Sequence, residues 1–552
     1  MKTRTLFWFS MIFSLIQCME IRAQERRSFP EVEQFALFTD RSIYCTGENI
    51  AFTAFQIPNK KTDEQLSKVL YVELISPQAA PMSTGKFSLT ADGAHGKLEI
   101  PTDLISGNYY LRVYTKYMRN IGPKAYAYVR LKIVNAEKPV SNFLVDSVNF
   151  LPLVKIQSES LITSNIPNDT LRVSNMELVK LLPDIGEKLL NVCVSIVPTE
   201  ALVSNQYSAA NQQGFSQIEY LPETTGLSIS GMLKDKANDS VIAGARVKLS
   251  IIGNGRDFLA TETNDQGKYL LALPAYTGRR DLFVCTEKSL GSAAELLVDN
   301  DFCSIPIQLP DTAFHLNQAE KALALELVNK QQVANFYYET AVLRDTFETR
   351  FNRVFYGTPT EIVSLANYVE LPNLEEYFNE LPTLAKVRKK QGEKYFKVLS
   401  NNSEILVFEP LVMVDQVAID NPEAVLAISP SELDRIEIIN APYIKGAFTY
   451  GGIIHLISKQ GYFANIDLPE NGLFLDYQFF TPEKGQLKNT EAKHENPDFA
   501  NTIYWNPNLT ALDLKNGIRF EIPKLSGSYE IFVRGISKEG KSFSIKHPLV
   551  VE

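Results

Sequence analysis

Apolar and polar positions alternate in short runs along most of this chain. Between residues 35 and 134 the runs Ile50-Ala51-Phe52-Thr53-Ala54-Phe55, Val69-Leu70-Tyr71-Val72-Glu73-Leu74 and Asn108-Tyr109-Tyr110-Leu111-Arg112-Val113-Tyr114 are set apart by Gly, Pro, Asn and Asp. Such runs between turn formers predict the strands of a β-sandwich. Residues 140–225 predict a second sandwich, with Leu190-Asn191-Val192-Cys193-Val194-Ser195-Ile196 its clearest strand, and residues 229–309 a third unit. The period turns helical at Asn317, which forms a capping box with Glu320 ahead of an apolar stripe of Leu323, Leu327 and Val328. Phe347, Phe351 and Phe355 recur at every fourth position, the spacing of a packing face.

Beyond this connector the pattern mixes. Leu371-Pro372-Asn373-Leu374 opens a short helix, residues 394–398 and 404–408 alternate as strands, and Ser429-Pro430-Ser431-Glu432 is a helical turn ahead of the strand Arg435-Ile436-Glu437-Ile438-Ile439. Tyr504-Trp505, residues 518–522 and residues 527–535 predict a last sandwich.

At 552 residues the chain exceeds one domain, given about 150 residues per domain. A net charge of −9 argues against nucleic-acid binding, which needs a basic face to displace counterions. Lys2 and Arg4 precede an apolar run from Leu6 to Ile16, and Ala23 before Gln24 fits a signal-peptide cleavage site, so the chain is expected to be exported. No later run is long and charge-free enough to span a bilayer at about 20 residues. Cys18 is a weaker candidate for acylation, since Gln17 stands where a small residue is wanted. Cys45, Cys193, Cys285 and Cys303 are too scattered for a disulfide framework; Cys285 and Cys303 are either a pair or two buried thiols.

Phe38-Thr39-Asp40-Arg41-Ser42-Ile43-Tyr44-Cys45-Thr46-Gly47-Glu48 and Pro101-Thr102-Asp103-Leu104-Ile105-Ser106-Gly107-Asn108-Tyr109 resemble the two signature segments of macroglobulin-type (MG2) sandwiches. The reactive thioester of macroglobulins is not expected, because Thr46 is inserted after Cys45 and Asn49 replaces the acyl-donating Gln. Ser230-Gly231-Met232-Leu233, Ile242-Ala243-Gly244-Ala245-Arg246-Val247 and Thr263-Asn264-Asp265-Gln266-Gly267-Lys268-Tyr269 resemble carboxypeptidase-regulatory-like domains. Asp265 alone offers too few oxygens for calcium. Residues 364–463 resemble the plug of TonB-dependent outer-membrane receptors, on Pro410 to Asp415, Glu437 in its strand, Tyr450-Gly451-Gly452, and the strand ending at Lys459. Gln416 stands where that family has Gly, and Ser458 where it has Thr. The residues after 463 are too few for a barrel of about 22 strands at ~10 residues each, and no TonB box follows the leader, so the expectation is a plug without its barrel.

The expected class is therefore multidomain and mainly β. It comprises a signal peptide (1–23), an MG2-like sandwich (29–137), a second sandwich (138–226), a carboxypeptidase-regulatory-like sandwich (227–312), a helical connector (313–363), an α+β plug-like domain (364–465) and an Ig-like sandwich (470–552).

Catalytic chemistry is not expected. His95, His315, His455, His494 and His547 fall in different units, without His-x-x-x-His, Cys-x-x-Cys, Gly-x-Ser-x-Gly or a phosphate-cradling loop, so neither metal nor cofactor is anticipated. His455, among apolar strand residues, is expected to be a satisfied interior histidine. Lys386, Arg388, Lys389 and Lys390, with Lys394 and Lys397, form a basic cluster read as a solvated hairpin face or as a patch meeting anionic lipid or a partner. Asp146-Ser147-Val148, Asp169-Thr170-Leu171, Asp239-Ser240-Val241 and Asp311-Thr312-Ala313 match a short O-glycosylation tripeptide of Gram-negative envelope proteins. The expected function is non-enzymatic binding in the periplasm or at the outer membrane, docking on or plugging a barrel or translocon in trans. The alternative is a soluble or surface protein, solute- or glycan-binding or adhesive, in which the plug fold serves as a spacer.

Overall fold

The computed structural model describes residues 33–58, 66–138, 153–155, 171–173, 178–179, 189–201, 206–209, 218–252, 257–310, 313–338, 354–400, 407–482, 501–510, 513, 518–519 and 526–551. The leader with Ala23 and Gln24, Cys18, Phe347, Phe351, His494 and the tripeptides at Asp146, Asp169 and Asp311 lie outside them.

The chain is multidomain and mainly β. In the first sandwich, Phe35–Thr39, Asn49–Gln56 and Ala94–Glu99 form one antiparallel sheet. The facing sheet runs Pro81–Ser88, Val69–Ile75, Gly107–Tyr114, Ala127–Val134, and is extended by Gln206–Ala209 and Leu153–Lys155, with Ile43–Cys45 parallel to Ala127–Val134. Val69–Ile75 and Gly107–Tyr114 are buried along their whole length, as expected of strands covered on both faces.

The second sandwich sets Ser228–Asp235, between Lys268–Ala272 and Ala294–Val298, against a sheet of Phe258–Glu262, Arg246–Ile251, Arg279–Thr286 and Leu473–Gln478. Its last strand comes from the segment assigned by sequence to a separate C-terminal sandwich, 470–552.

The expectation of two further independent sandwiches, at 138–226 and 470–552, is corrected. Leu189–Pro198 lies between Tyr504–Asn506 and Gly527–Ser537, the latter pairs with Ser542–Val551, and Leu171–Val173 runs parallel to Ser542–Val551. The two segments build one sheet. The cause is a continuous apolar strand: Leu189–Pro198 is buried nearly throughout and needs neighbours on both sides, while Gln206–Ala209 joins the first sandwich instead. Gly535 permits the closeness, because a Cβ there would stand 2.1 Å from the Asn191 carbonyl oxygen.

Helix Gln318–Tyr338 begins with the reciprocal bonds of the Asn317/Glu320 capping box, both 2.8 Å. Its Leu323 and Leu327 pack on Ile43, Cys45, Val197, Ala201 and Phe532, where the first sandwich meets the shared sheet.

Residues 361–465 form an α+β unit whose sheet runs Glu361–Ser364, Leu433–Ile439, Ile453–Ser458, Leu411–Val414, Val417–Ala418. Glu361, Ile362 and Val363, placed by sequence in the connector 313–363, belong to this sheet because Val363 completes its core. One face is covered by helix Leu374–Glu380, capped by the Asn373 side chain, and by the hairpin Ala385–Lys390/Glu393–Val398; Phe378 and Phe396 meet edge-on at 5.0 Å. The other face packs Met413, Phe448 and Tyr450 against Phe258 and Ala260 of the second sandwich.

Candidate functional site

The Thr39 to Glu48 motif forms a buried polar cluster. Arg41 Nη2 and Nη1 donate to the two oxygens of Glu48 at 2.7 and 3.2 Å, and the guanidinium lies over the Tyr44 ring. Tyr44 Oη donates to Asp40 at 2.6 Å, and the Cys45 N–H to Glu48 at 2.7 Å. Two further donors come from the C-terminal segment: Asn501 Nδ2 to Glu48 and Thr502 Oγ1 to Asp40, both at 2.5 Å. Arg534 Nη2 donates to the Thr39 carbonyl at 2.6 Å and to Ser195 Oγ at 3.2 Å. Burial pushes Glu48 toward protonation, but Arg41 and the donors around it hold its carboxyl below the usual range. The motif's chemistry is spent on holding the first sandwich to the shared sheet.

Sequence-singled residues of the α+β unit meet in a second cluster. Asp415 accepts from Ser458 N–H and Oγ at 2.9 and 2.6 Å and from Phe463 N–H at 2.9 Å. Gln416 N–H donates to His455 Nε2 at 3.0 Å, so this neutral imidazole carries its proton on Nδ1, 2.5 Å from Tyr356 Oη. Tyr356 Oη donates to Glu437 at 2.6 Å, and Arg435 Nε to the other Glu437 oxygen at 2.7 Å. His455 is thus a fully buried histidine bonded through both nitrogens. Pro410 precedes the strand, Gly451 N–H closes on the Glu409 carbonyl at 2.8 Å, Tyr450 packs on Phe258, and Lys459 is exposed. Gly452 has φ +97°, and a Cβ there would meet the Ile439 carbonyl oxygen at 2.6 Å.

Cys45, Cys193, Cys285 and Cys303 are free and buried, and Cys285 and Cys303 lie in different hydrophobic cores. Burial pushes the Cys193 and Cys285 thiols up to about 11 and Cys45 higher still, so none of these three is a thiolate at neutral pH. Among the described residues, no three His, Cys, Asp or Glu side chains gather as a metal site would require, and no helix is long and apolar enough to cross a membrane.

The basic cluster lies on the hairpin, which turns at Gln391 and Gly392 with φ of 54° and 94°. Lys386, Arg388 and Lys390 occupy alternate positions and share one face, while Lys389 projects from the other. Ser240 of the tripeptide at Asp239 stands exposed just after the turn at 236–238.

No family model matches the chain, and no curated protein does. Among solved structures, a Salmonella alpha-2-macroglobulin aligns over 94% of this chain and 39% of its own, at 9% identity and a TM-score of 0.22. The E. coli alpha-2-macroglobulin aligns over 94% and 40%, at 8% identity and 0.23, and the D0-D1 domain of intimin over 52% and 100%, at 11% and 0.15. The chain thus spans about two fifths of the length of those macroglobulins. Superpositions this poor carry no argument, and the fold rests on the strand pairing above.

Sequence reasoning missed Tyr356, Asn501, Thr502 and Arg534. Each reaches its partner across long stretches of chain, Asn501 over 453 residues and Tyr356 over 81 to Glu437. Tyr356 carried one local signal, its place beside Phe355 in an aromatic pair.

Proposed function

We propose that the chain is a non-enzymatic, exported envelope protein that binds a partner at the outer membrane, docking on a barrel or translocon in trans through its α+β unit. The observation that carries this reading is where the plug-like landmarks fall: Pro410 to Asp415, Glu437 and the strand leading to Lys459 lie on three adjoining strands of one sheet, with their polar groups bonded inside the unit. Those side chains are occupied with shape, which suits a binding scaffold. The MG2-like motif supports the same role, since Glu48 and Asp40 accept from Asn501 and Thr502 and so serve to join sheets.

The test is in-cell photo-cross-linking of the tagged chain from Val369 and Val407, exposed at 85% and 79%. Recovery with one outer-membrane barrel is the expected result. Recovery alone in the soluble fraction would overturn the reading and favour the glycan- or solute-binding alternative.

A further inference from the structure

His455 sits where a second proton has no place to go. Its strand lies between Leu433–Ile439 and Leu411–Val414, with Glu437 and Met413 as its register partners, and the ring is fully buried. Its Nδ1–H faces Tyr356 Oη, and its Nε2 accepts the Gln416 N–H at 3.0 Å. A protonated ring carries N–H on both nitrogens. The second would meet the Gln416 N–H donor to donor, and the cation would lie out of reach of water.

That bond holds more than the ring. Asp415 and Gln416 both have positive φ, 43° and 73°, a form that persists in residues other than glycine only where the surroundings impose it. The Asp415 N–H donates to the Leu456 carbonyl at 3.0 Å, and its carboxylate takes Ser458 and Phe463. The carboxylates that would favour a cation at His455 are both engaged, Glu437 by Tyr356 and Arg435, and Asp415 by the donors just named. The second sandwich brings Phe258 and Ala260 to this face, beside Tyr443 and Tyr450, whose phenols burial pushes up. Its Arg246 lies over the Phe448 ring, Lys248 pairs with Asp420, and Asp257 takes the Tyr276 hydroxyl near Lys445.

We propose that His455 is an acid-sensitive latch: its neutral ring holds the Asp415–Gln416 turn, and protonation releases the Gln416 N–H and opens this end of the α+β unit. The latch does not depend on a docking partner. The folded form carries the neutral ring, so opening takes up a proton. The latch is therefore complete above the ordinary histidine value, near pH 6.5, and weakens as pH falls below it. Carboxylates of ordinary strength stay ionised between pH 7.5 and 5, so that window belongs to histidine.

The test uses the full chain, isotope-labelled at histidine, followed by NMR and hydrogen exchange between about pH 7.5 and 5. The His455 imidazole, assigned by its NOE to the Gln416 N–H, should stay neutral while the fold holds. Protection of the Gln416 amide, corrected for the intrinsic exchange rate, should fall about thirtyfold over that range, the contribution of one histidine that takes its proton only in the opened state. In His455→Gln the side-chain oxygen can accept the same N–H and the amide can donate to Tyr356 without titrating, so most of that loss should disappear. His95, His315 and His547 lie in other units and act alike in both proteins. Equal losses of protection in the two proteins would overturn the latch, as would a His455 ring that titrates at its ordinary value while Gln416 stays protected. Should the variant not fold, the wild-type titration decides alone.

Discussion

Glu48→Ala tests whether the Thr39 to Glu48 motif is an architectural lock. Arg41 and Glu48 side chains are 5% and 6% exposed, and their closest contact is 2.7 Å. Truncating Glu48 leaves the guanidinium buried with Asp40 at 3.4 Å as its remaining described carboxylate, and strips acceptors from Cys45 N–H and Asn501. Removing one partner of a buried ion pair costs about 3–5 kcal/mol. In a sandwich of about 100 residues each kcal/mol moves the midpoint by roughly 4–8 °C, so a fall of at least about 12 °C is expected. A single unfolding free energy is not defined for a chain of several units, so the assay is calorimetry, following the transition of the first sandwich, together with hydrogen exchange at Gly527–Ser537. The double variant Arg41→Met/Glu48→Leu removes the unpaired guanidinium and should recover part of the loss, while Asp40 loses its cation and the Cys45 N–H and Asn501 still lack their acceptor.

The acid response follows from the sign of the shift. Glu48 is held below its ordinary value when folded, so its contribution is complete above the unfolded value and is lost as pH falls through the folded one. The gap between the wild-type chain and Glu48→Ala should therefore be constant above about pH 5 and narrow in acid. A midpoint change under about 2 °C, or a double variant as unstable as the single one, would refute the lock.

Two further outcomes are expected in the α+β unit. Gln416 holds φ +73°, where a side chain costs about 1–2 kcal/mol. Gln416→Gly keeps the N–H to His455, so the midpoint of the unit should rise, less what the freer unfolded chain takes back; a fall would mean that the side chain contributes elsewhere. Tyr356→Phe deletes the hydroxyl that Glu437 and His455 share, at about 1–3 kcal/mol, and amide exchange over Ile453–Ser458 should quicken by roughly five- to 150-fold. Unchanged exchange there would show that the bonds add nothing to the sheet.

Alternation and capping made individual elements legible, because both are local. The Asn317/Glu320 pair starts its helix, and the strand expected at 435–439 lies within Leu433–Ile439. Strand partners were not legible: alternation marks which face of a strand is buried without naming the neighbour, and Leu189–Pro198 pairs with Gly527–Ser537 from the far end of the chain. The same limit hid the clusters. Gln416 is no glycine, yet the backbone adopts the left-handed form at both Asp415 and Gln416. Two devices hold it there: the Asp415 carboxylate bound to Ser458 and Phe463, and the Gln416 N–H on His455. Ser458 in place of Thr changes little, since the bond to Asp415 needs the hydroxyl that both residues carry.

Spatial order differs from sequence order in a way that bears on binding. Arg279–Thr286 and Leu473–Gln478 are neighbours in one sheet, although the strand Ala294–Val298 of the facing sheet, the helix and the α+β unit all lie between them in sequence. Lys248 pairs with Asp420, Arg246 lies 4.2 Å above the Phe448 ring, Phe258 packs on Tyr450, and Phe283 and Cys285 enter the core beneath the helix and hairpin, so the second sandwich grips the unit. Swinging it away would expose Met413, Ile453 and Phe258, which are fully buried, at about 1.5–3 kcal/mol for each large apolar side chain. The unit is therefore held as part of the body. Its helix Leu374–Glu380 and hairpin, on the opposite face of the same sheet, are held at a fixed place, and a partner docking on the unit spends little free energy on ordering the domain it meets.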